Sequence, residues 1–349
     1  MEENIDLSLS KNVFYNPAMT LCRSISSLAV GAIGEKMDVV DAFCASGIRG
    51  IRYARENRNV KSLTFLDIEP EAIKLAKKNA KANKVKAEFK TGNISRLALE
   101  LAADFVEIDP FGTPSPYLVD AFRFFNPKKT AYLSVTATDV AVLCGGKVAP
   151  CMKNYHAKPL NNEFTHETGL RIMLKRIAEV AAEFNMGIAP LVSFSDKHYL
   201  KSVIRLQRSA DLAFESLQKL GYVSYDKKTG ARSSGQFPEP DMEYAGPLWL
   251  GELHEPGFLR TMEELNGKRK YGDMDEISGM LGVMGNEVGM PPYYYNVHAL
   301  CRIRRLGRIP NMNELIEKIR SKGYRASRTH FSDISIKSDA PHEEILGAL

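Results

Sequence analysis

A carboxylate, a rigid turn and an aromatic ring follow one another at Asp109, Pro110 and Phe111. The exocyclic amine of a nucleobase is a poor nucleophile, because its lone pair is delocalised into the ring. Asp109, helped by the carbonyl of Pro110, can hold the hydrogens of such an amine so that the lone pair faces a methyl donor, and Asp109 can accept the released proton. Phe111 can stack on a flipped-out base, which is worth about 1–3 kcal/mol. The run therefore predicts amine methylation, with a simple turn as the alternative.

Two glycines and a distant carboxylate form a second group of candidate residues. Gly47 and Gly50 lie between a predicted strand and a predicted helix, where glycine lets a ligand approach the backbone and keeps the helix close to the sheet. Asp67 stands twenty residues after Gly47, at the end of the next predicted strand. A carboxylate at that point can accept hydrogen bonds from the ribose hydroxyls of an adenosine cofactor.

The glycine pattern distinguishes between two such cofactors. A nicotinamide dinucleotide needs G-x-G-x-x-G, because its phosphates must lie on the N-terminus of the helix. Here Ala45 or Ser46 replaces the first glycine, and Arg49 stands within the turn. An arginine suits a cofactor that lacks phosphates and carries its own carboxylate. The turn therefore favours S-adenosylmethionine, and a nicotinamide dehydrogenase is the weakest alternative.

The elements that must position these residues alternate between strand and helix. Strands are predicted at residues 39–43, 62–66, 87–90, 104–108, 131–136, 187–194 and 199–206, and helices at 48–55, 70–80, 117–125 and 167–184. This alternation predicts an α/β fold with a doubly wound, mostly parallel sheet. Ligands bind at the carboxyl ends of such strands, where Asp67 and Asp109 are expected.

The pattern changes after Leu206, and we predict a methyltransferase domain at residues 1–253 and a smaller α/β domain at 254–349. In the first of these regions a helix at 210–220 precedes a polar loop at 226–241 and a short strand at 248–250. In the second, Asn296 can cap a helix that ends near Leu306, and another helix covers 312–319. Strand-like runs at 324–329 and 334–337 follow. Helix, turn, helix and hairpin together suggest a winged-helix-like unit.

The C-terminal region is also basic. Between Leu300 and Lys337 ten residues are Lys or Arg and three are acidic, whereas the whole chain has a net charge of +5. Such an excess predicts binding to phosphates of RNA, with a solvated basic face as the alternative. The candidate RNA-binding residues are Arg302, Arg304, Arg305, Arg308, Lys322, Arg325 and Arg328.

Composition excludes several classes of protein. The chain has 349 residues, and no apolar run approaches the roughly 20 residues of a membrane-spanning helix. The acidic N-terminus does not resemble a signal peptide, so a cytoplasmic location is expected. The five cysteines have no C-x-x-C spacing, which argues against disulfides and a zinc knuckle.

Taken together, the motifs resemble those of the tRNA (guanine-26-N2)-dimethyltransferases of archaea and eukaryotes, over nearly the whole chain. The residues that carry this resemblance are Phe14-Tyr-Asn-Pro with Arg23, Ala45-Ser-Gly-Ile-Arg-Gly-Ile-Arg52, Asp109-Pro-Phe-Gly, Thr136-Ala-Thr-Asp139 with Leu143-Cys-Gly145, Asp196-Lys-His-Tyr199, Gly246-Pro-Leu-Trp-Leu-Gly251 and Thr329-His-Phe331.

The resemblance implies a class I, Rossmann-like S-adenosylmethionine-dependent methyltransferase domain with a family-specific C-terminal domain. The implied substrate is the exocyclic N2 amine of guanine 26 in tRNA, where the D-arm meets the anticodon stem. Asp109 is then the central catalytic residue, and the segment from Phe14 to Arg23 is a candidate lid. No obligate protein partner is implied. The residues implied to line the cofactor site are Phe14, Arg23, Arg49, Arg52 and Asp67.

The sequence departs from the family pattern in two places. Members often carry an Asp-Ala pair that contacts the adenine, where this chain has Asn93 and Ile94. The amide oxygen of Asn93 can still accept a hydrogen bond from the adenine amine. Many members also have zinc-binding cysteines near the Gly-Pro-Leu-Trp segment, where this chain has Tyr244 and Ala245. We therefore predict no metal.

Three questions stay open at this point. A non-catalytic RNA-binding protein on the same fold, or an amine methyltransferase acting on DNA or another RNA, would share many of these features. The sequence does not decide between a monomethyl and a dimethyl product. Asp139, after the fifth predicted strand, can orient the guanine, cap a helix or belong to the core.

Overall fold

The computed structural model describes residues 2–125 and 128–349. Seven strands form the central sheet, in the order β3-β2-β1-β4-β5-β7-β6. The first five strands in this order are parallel, and β7 is antiparallel to both β5 and β6. The predicted α/β class and the mostly parallel sheet are confirmed. The strands are β1 (Met37–Asp41), β2 (Val60–Asp67), β3 (Glu88–Thr91), β4 (Phe105–Ile108), β5 (Thr130–Ala137), β6 (Met186–Asp196) and β7 (Tyr199–Arg208).

Two smaller antiparallel sheets and the helices complete the described chain. One sheet contains β8 (Leu220–Tyr225), β9 (Arg232–Gly235) and β10 (Glu243–Trp249), and the other contains β11 (Tyr295–Asn296), β12 (Ala326–Thr329) and β13 (Ser332–Ser338). The helices are α1 (Thr20–Ala32), α2 (Ile48–Glu56), α3 (Pro70–Ala82), α4 (Ile94–Leu97), α5 (Leu118–Arg123), α6 (Val140–Leu143), α7 (Val148–Tyr155), α8 (Thr165–Glu183), α9 (Ala210–Gln218), α10 (Pro256–Arg269), α11 (Met274–Glu287), α12 (Val297–Ile303), α13 (Met312–Ser321) and α14 (His342–Ala348). Short 3-10 turns cover Pro17–Met19 and Ser115–Tyr117.

The central strands are apolar on both sides because helices cover both faces of the sheet. In β1, Val39 belongs to one buried core and Val40 to the other. Phe105 and Val106 divide in the same way in β4. Successive side chains of a strand point to opposite faces, so a continuous apolar run is what a strand buried on both sides requires.

The turn between β1 and α2 has the geometry that its glycines predict. Gly47 precedes α2 with a left-handed φ of +77°, which costs a glycine little. A Cβ atom at Gly50 would lie 2.5 Å from the ring of Phe65 in β2. The glycines therefore allow α2 to begin directly over the ends of β1 and β2.

Two helices, α10 and α11, were not predicted from the sequence. Phe258 and Met262 of α10, and Ile277 and Met284 of α11, join the core formed by α1 and one face of the sheet. The domain boundary between residues 253 and 254 remains a prediction. Because these helices share the core of the methyltransferase region, their packing favours a boundary nearer residue 290.

The C-terminal elements have a small core of their own, which includes Val297, Leu315 and Ile336. Two helices followed by the β12–β13 hairpin have the predicted winged-helix-like order. The side chain of Asn296 accepts a hydrogen bond from the amide of Ala299 at 3.0 Å, as its predicted capping role requires. The strand β11 and the helix α14 were not predicted.

One predicted loop is wrong in part. Residues 226–241 contain β9, which pairs with β8 through Tyr225 and Arg232. The guanidinium of Arg232 lies over the ring of Tyr295, with its central carbon 4.2 Å from the ring centroid. Tertiary pairing therefore makes a strand of a segment whose local composition indicates a loop.

No helix in residues 2–125 and 128–349 is long and apolar enough to cross a membrane. The cytoplasmic location stays a prediction.

Candidate active site

The carboxyl ends of β1, β2, β4 and β5 bring the candidate catalytic residues together. Asp109 directly follows β4, and Arg49 extends from the first turn of α2 to meet it. One guanidinium nitrogen of Arg49 lies 2.5 Å from Oδ2 of Asp109. The side chain of Asp109 is 22% exposed, whereas that of Arg49 is 7% exposed. The carboxylate therefore opens to solvent on one side and is held from the protein side on the other.

A buried polar network lies behind this pair. Glu107, two residues before Asp109, accepts a hydrogen bond from the hydroxyl of Tyr53 at 2.7 Å and forms an ion pair with Lys201. The ammonium of Lys201 also donates to the hydroxyl of Thr136 at 3.0 Å. Glu107 and Lys201 are both fully buried. Removing either partner would leave an uncompensated charge in the core, so both are needed for its stability.

The network also controls the ionisation of two aspartates. Burial alone would raise the pKa of Asp109, but the charges of Arg49 and Lys201 outweigh burial, so this pKa lies below its ordinary value. Asp41, at the end of β1, behaves in the opposite way. Burial and the neighbouring Glu107 carboxylate raise the pKa of Asp41 to about 7. Asp109 is therefore the carboxylate that stays ionised as an acceptor.

Asp67 stands at the end of β2, as predicted. Its Oδ2 accepts a hydrogen bond from the amide of Ala45 at 2.9 Å, and its Oδ1 accepts one from the amide of Glu69 at 3.0 Å. These bonds fix the carboxylate beside the glycine turn. Each carboxylate oxygen can accept a second hydrogen bond, so both can still receive ribose hydroxyls.

Arg23 and Arg52 both form ion pairs with Glu2, a residue that was not predicted from the sequence. Glu2 lies 2.5 Å from the guanidinium of Arg23 and 3.2 Å from that of Arg52. Arg52 is fully buried and also pairs with Glu56 at 2.8 Å. Arg52 has no exposed surface in this arrangement, and its contact with a cofactor stays a prediction. The ion pair of Arg52 with Glu2 anchors the N-terminal segment that carries Phe14.

Asn93 and Ile94 follow β3 at the same edge of the sheet. Asn93 is exposed, and its amide oxygen accepts a hydrogen bond from the amide of Ser95 at 2.8 Å. This bond caps α4, and the predicted interaction with an adenine would use the remaining lone pair of the same oxygen. Ile94 is buried in the core, so only its backbone is placed to meet a ligand. Both assignments stay predictions.

Two exposed aromatic rings lie near Asp109, since Phe111 follows it by two residues and Phe14 contacts Phe111. Phe14 and Phe111 meet edge to face with their centroids 4.8 Å apart. They are 55% and 76% exposed, which is unusual for rings of this size. Pro110, between Asp109 and Phe111, is buried. An exposed aromatic pair beside a fixed carboxylate offers a flat apolar surface to a planar ligand.

The basic C-terminal region divides into free and engaged cations. Arg302, Arg304, Arg305 and Arg308 are exposed, and none of them pairs with a carboxylate in the described parts of the chain. We call these four residues the arginine cluster. They lie on and directly after α12.

The other predicted RNA-binding residues are engaged within the protein. Lys322 pairs with Glu344 at 2.8 Å. Arg325 donates to the backbone carbonyl of Gly289 at 3.3 Å, and Arg328 donates to that of Asp333 at 2.7 Å. Their roles in RNA binding stay predictions, but each contact to a phosphate would have to compete with an internal bond.

Lys337, which was counted in the basic excess, is not part of the surface. It is buried and pairs with Glu167 of α8 at 2.6 Å. It also donates to the carbonyl of Pro291 at 3.1 Å. Lys337 therefore joins the C-terminal unit to the methyltransferase region, and its inclusion in the predicted surface charge is wrong.

A second buried group joins the same two regions. His254, Glu287 and His330 each offer a possible metal-ligand atom within 4.8 Å of the others. Burial lowers the pKa of His254 to about 3, and its Nδ1 accepts a hydrogen bond from the amide of Ser193 at 3.4 Å. Nδ1 of His330 lies 2.9 Å from Glu287. Nε2 of His254, Oε2 of Glu287 and Nε2 of His330 have no hydrogen-bond partner among the described residues, and the absence of a metal stays a prediction.

Known proteins of one family resemble this chain over nearly its whole length. The family model of N2,N2-dimethylguanosine tRNA methyltransferases matches residues 1–349. The tRNA (guanine(26)-N(2))-dimethyltransferase of Pyrococcus abyssi is 34% identical, over 97% of this chain and 92% of that protein. The enzyme of the same description from Thermococcus kodakarensis is 35% identical, over 94% and 90%.

A solved structure agrees over the whole length. The complex of Trm1 from Pyrococcus horikoshii with S-adenosyl-L-methionine superimposes with a TM-score of 0.91 at 32% identity, covering 99% of this chain and 96% of that one. The resemblance inferred from the motifs is thus confirmed. The chain belongs to the N2,N2-dimethylguanosine tRNA methyltransferase family.

Proposed function

We propose that this protein transfers methyl groups from S-adenosylmethionine to the N2 amine of guanine 26 in tRNA, giving N2-methylguanine and then N2,N2-dimethylguanine. One observation carries the proposal: a carboxylate held ionised by a buried arginine stands beside two exposed aromatic rings. Asp109 supplies the carboxylate, and Phe14 and Phe111 supply the rings. This arrangement provides an acceptor for amine hydrogens and a surface for a base.

The residues at the ends of β1 and β2 fit the methyl donor. When bound, S-adenosylmethionine supplies an electrophilic methyl group on a sulfonium. Asp67 keeps one lone pair on each oxygen for the ribose hydroxyls, and its orientation is fixed by the amides of Ala45 and Glu69. The left-handed Gly47 leaves the backbone of the turn open to close approach. Asn93 lies at the end of β3, where an adenine would extend from the ribose.

Asp109 orients the nucleophile. Its carboxylate accepts one hydrogen of the N2 amine and the carbonyl of Pro110 accepts the other, so the nitrogen lone pair turns toward the methyl group. As the N–C bond forms and the S–C bond breaks, the proton on N2 passes to Asp109. Because the pKa of Asp109 lies below its ordinary value, the proton moves on to solvent and the acceptor is restored.

The same carboxylate can serve both methylations. After the first transfer N2 retains one hydrogen, which Asp109 can again accept. The side chain of Asp109 is 22% exposed, and we expect this open side to accommodate the first methyl group. Formation of the dimethyl product therefore needs no second acceptor.

Phe14 and Phe111 hold the base. Each exposed ring can stack on a purine, which contributes about 1–3 kcal/mol per base. The rings meet edge to face, so a base can stack on the free face of one ring or enter between them. Guanine 26 lies within folded RNA and has to leave its stack first. The arginine cluster can neutralise phosphates of the same tRNA, which positions the substrate but does not select the base.

Transfer of labelled methyl groups to tRNA transcripts tests the proposal. Wild-type protein and Asp109→Asn are compared on a transcript with guanine 26 and on one with adenine 26. We expect incorporation only by the wild type on the guanine transcript. Asn preserves the size of the side chain but removes its charge, and S-adenosylmethionine binding by calorimetry controls for folding. Tight tRNA binding without incorporation by the wild type would instead indicate a non-catalytic RNA-binding protein.

A further inference from the structure

We infer that Asp139 selects guanine by accepting a hydrogen bond from its N1–H, while Asp109 holds the neighbouring N2 amine. This inference rests on the proposed function and adds to it a residue that distinguishes guanine from other bases. Two carboxylates, one for each donor, would then read the Watson–Crick edge of the flipped base.

The backbone places Asp139 beside the loop that carries Phe111. The amide of Gly112 donates to the hydroxyl of Thr138 at 2.8 Å, and the amide of Thr138 donates to the carbonyl of Gly112 at 3.0 Å. These two bonds join the loop after β4 to the loop after β5. Asp139 therefore follows Thr138 directly and lies, like Asp109, at the carboxyl ends of the parallel strands.

Neither helix capping nor a place in the apolar core explains the position of the Asp139 side chain. It precedes α6, yet its carboxylate makes no capping hydrogen bond to that helix. It is half-buried, so it is not an element of the apolar core. No Lys or Arg of the described residues pairs with it. A partly buried carboxylate without a cation is costly unless a ligand or a hydrogen-bond donor meets it.

A directed chain of hydrogen bonds holds this carboxylate in place. The hydroxyl of Thr113 donates to the hydroxyl of Tyr155 at 2.8 Å. Tyr155 in turn donates to Asp139, with its oxygen 2.9 Å and 3.0 Å from the two carboxylate oxygens. Because Tyr155 gives only one proton, the carboxylate keeps most of its acceptor capacity. Burial raises the pKa of Asp139, although the hydrogen bond from Tyr155 acts in the opposite direction.

The chemistry of guanine fits an acceptor at this point. N1–H lies next to the N2 amine, so one carboxylate can take each group. A carboxylate that accepts N1–H also pushes electron density into the ring and onto N2, which strengthens the nucleophile. In adenine N1 carries a lone pair, which an acceptor at Asp139 would repel. A site built around a hydrogen bond rejects a base that cannot make it.

A base analogue and one substitution test this assignment directly. A tRNA with 2-aminopurine at position 26 keeps the N2 amine but has a lone pair instead of a hydrogen on N1. In Asp139→Asn we expect the amide oxygen to accept the hydrogen bond from Tyr155, which turns the amide NH2 toward the base. We expect this variant to lose about 10- to 100-fold in kcat/KM on guanine tRNA and to exceed the wild type on 2-aminopurine tRNA.

Controls separate this inference from the proposed function. Asp211→Asn removes an exposed carboxylate from α9, at the far edge of the sheet, and should match the wild type on both substrates. Equal losses by Asp139→Asn on the two substrates, no loss on either, or no methylation of 2-aminopurine tRNA by this variant would each overturn the inference. Failure of the wild type to methylate guanine tRNA would overturn the proposed function instead. Calorimetric binding of S-adenosylmethionine shows that each variant is folded.

Discussion

The protein places its cations in two very different settings. At the strand ends Arg49 and Lys201 are buried and pair with Asp109 and Glu107. In the arginine cluster the guanidinium groups stand in water without a partner among the described residues. A buried cation sets the position and the ionisation of one carboxylate, and its removal affects the whole core. An exposed cation adds a small, salt-dependent attraction to phosphates that other cations share. Orientation of the reacting amine therefore depends on a few buried residues, whereas attraction of the tRNA phosphates depends on many exposed ones.

Removal of the buried charge at Lys201 should have the largest effect on stability. Lys201→Met leaves Glu107 without its nearest cation, and we expect a loss of about 3–5 kcal/mol in the free energy of unfolding. Urea denaturation followed by circular dichroism measures this loss. The double variant Lys201→Met with Glu107→Gln should recover much of it, since no buried charge is left unpaired. A single variant as stable as the wild type would contradict the role given to the network.

Substitution at Arg49 should affect catalysis more than folding. Arg49→Lys keeps the charge but shortens the reach to Asp109, and we expect kcat to fall about 10- to 100-fold. The guanidinium helps to hold the pKa of Asp109 below its ordinary value, so this pKa rises in the variant. Asp109 is then protonated at a higher pH than in the wild type, so the acid limb of the pH–rate profile moves to higher pH. Arg55→Lys, an exposed change in the same helix, should leave the profile unmoved.

Lys337 provides an intermediate case, because it is basic in sequence but buried in the structure. Lys337→Met should lower the free energy of unfolding by about 2 kcal/mol, less than a fully unpaired charge would cost, since Glu167 keeps Arg171 at 2.9 Å. The salt dependence of tRNA binding should not change. A smaller salt slope in this variant would place Lys337 at the RNA after all.

The smallest expected effects are in the arginine cluster. Arg302→Ala and Arg305→Ala should each weaken tRNA binding a few-fold and reduce the slope of log Kd against log salt by about 1, with kcat unchanged. Lys268→Ala, an exposed change in α10, controls for net charge. Filter binding at salt concentrations from roughly 50 to 200 mM measures both the affinity and this slope. A fall in kcat at saturating tRNA would assign these residues to catalysis instead.

What the sequence could predict follows the same division. Asp67 and Asp109 could be located because each ends an apolar strand, and the arginine cluster because its members are close in sequence. The partners of the buried charges could not be located from the sequence, since Lys201 is 94 residues from Glu107. Arg52 was expected at the cofactor but meets Glu2, 50 residues away. Local periodicity predicts elements, whereas pairing between distant charges depends on how the elements are arranged.

The central claim is that Asp109 orients the N2 amine of guanine 26. Mass spectrometry of the nucleosides released from a tRNA transcript after reaction tests it most directly. With wild-type protein the nucleoside at position 26 should be N2-methylguanosine at early times and N2,N2-dimethylguanosine later. With Asp109→Asn, shown by calorimetry to bind S-adenosylmethionine, unmodified guanosine should remain. Dimethylguanosine formed by this variant at the wild-type rate would contradict the claim.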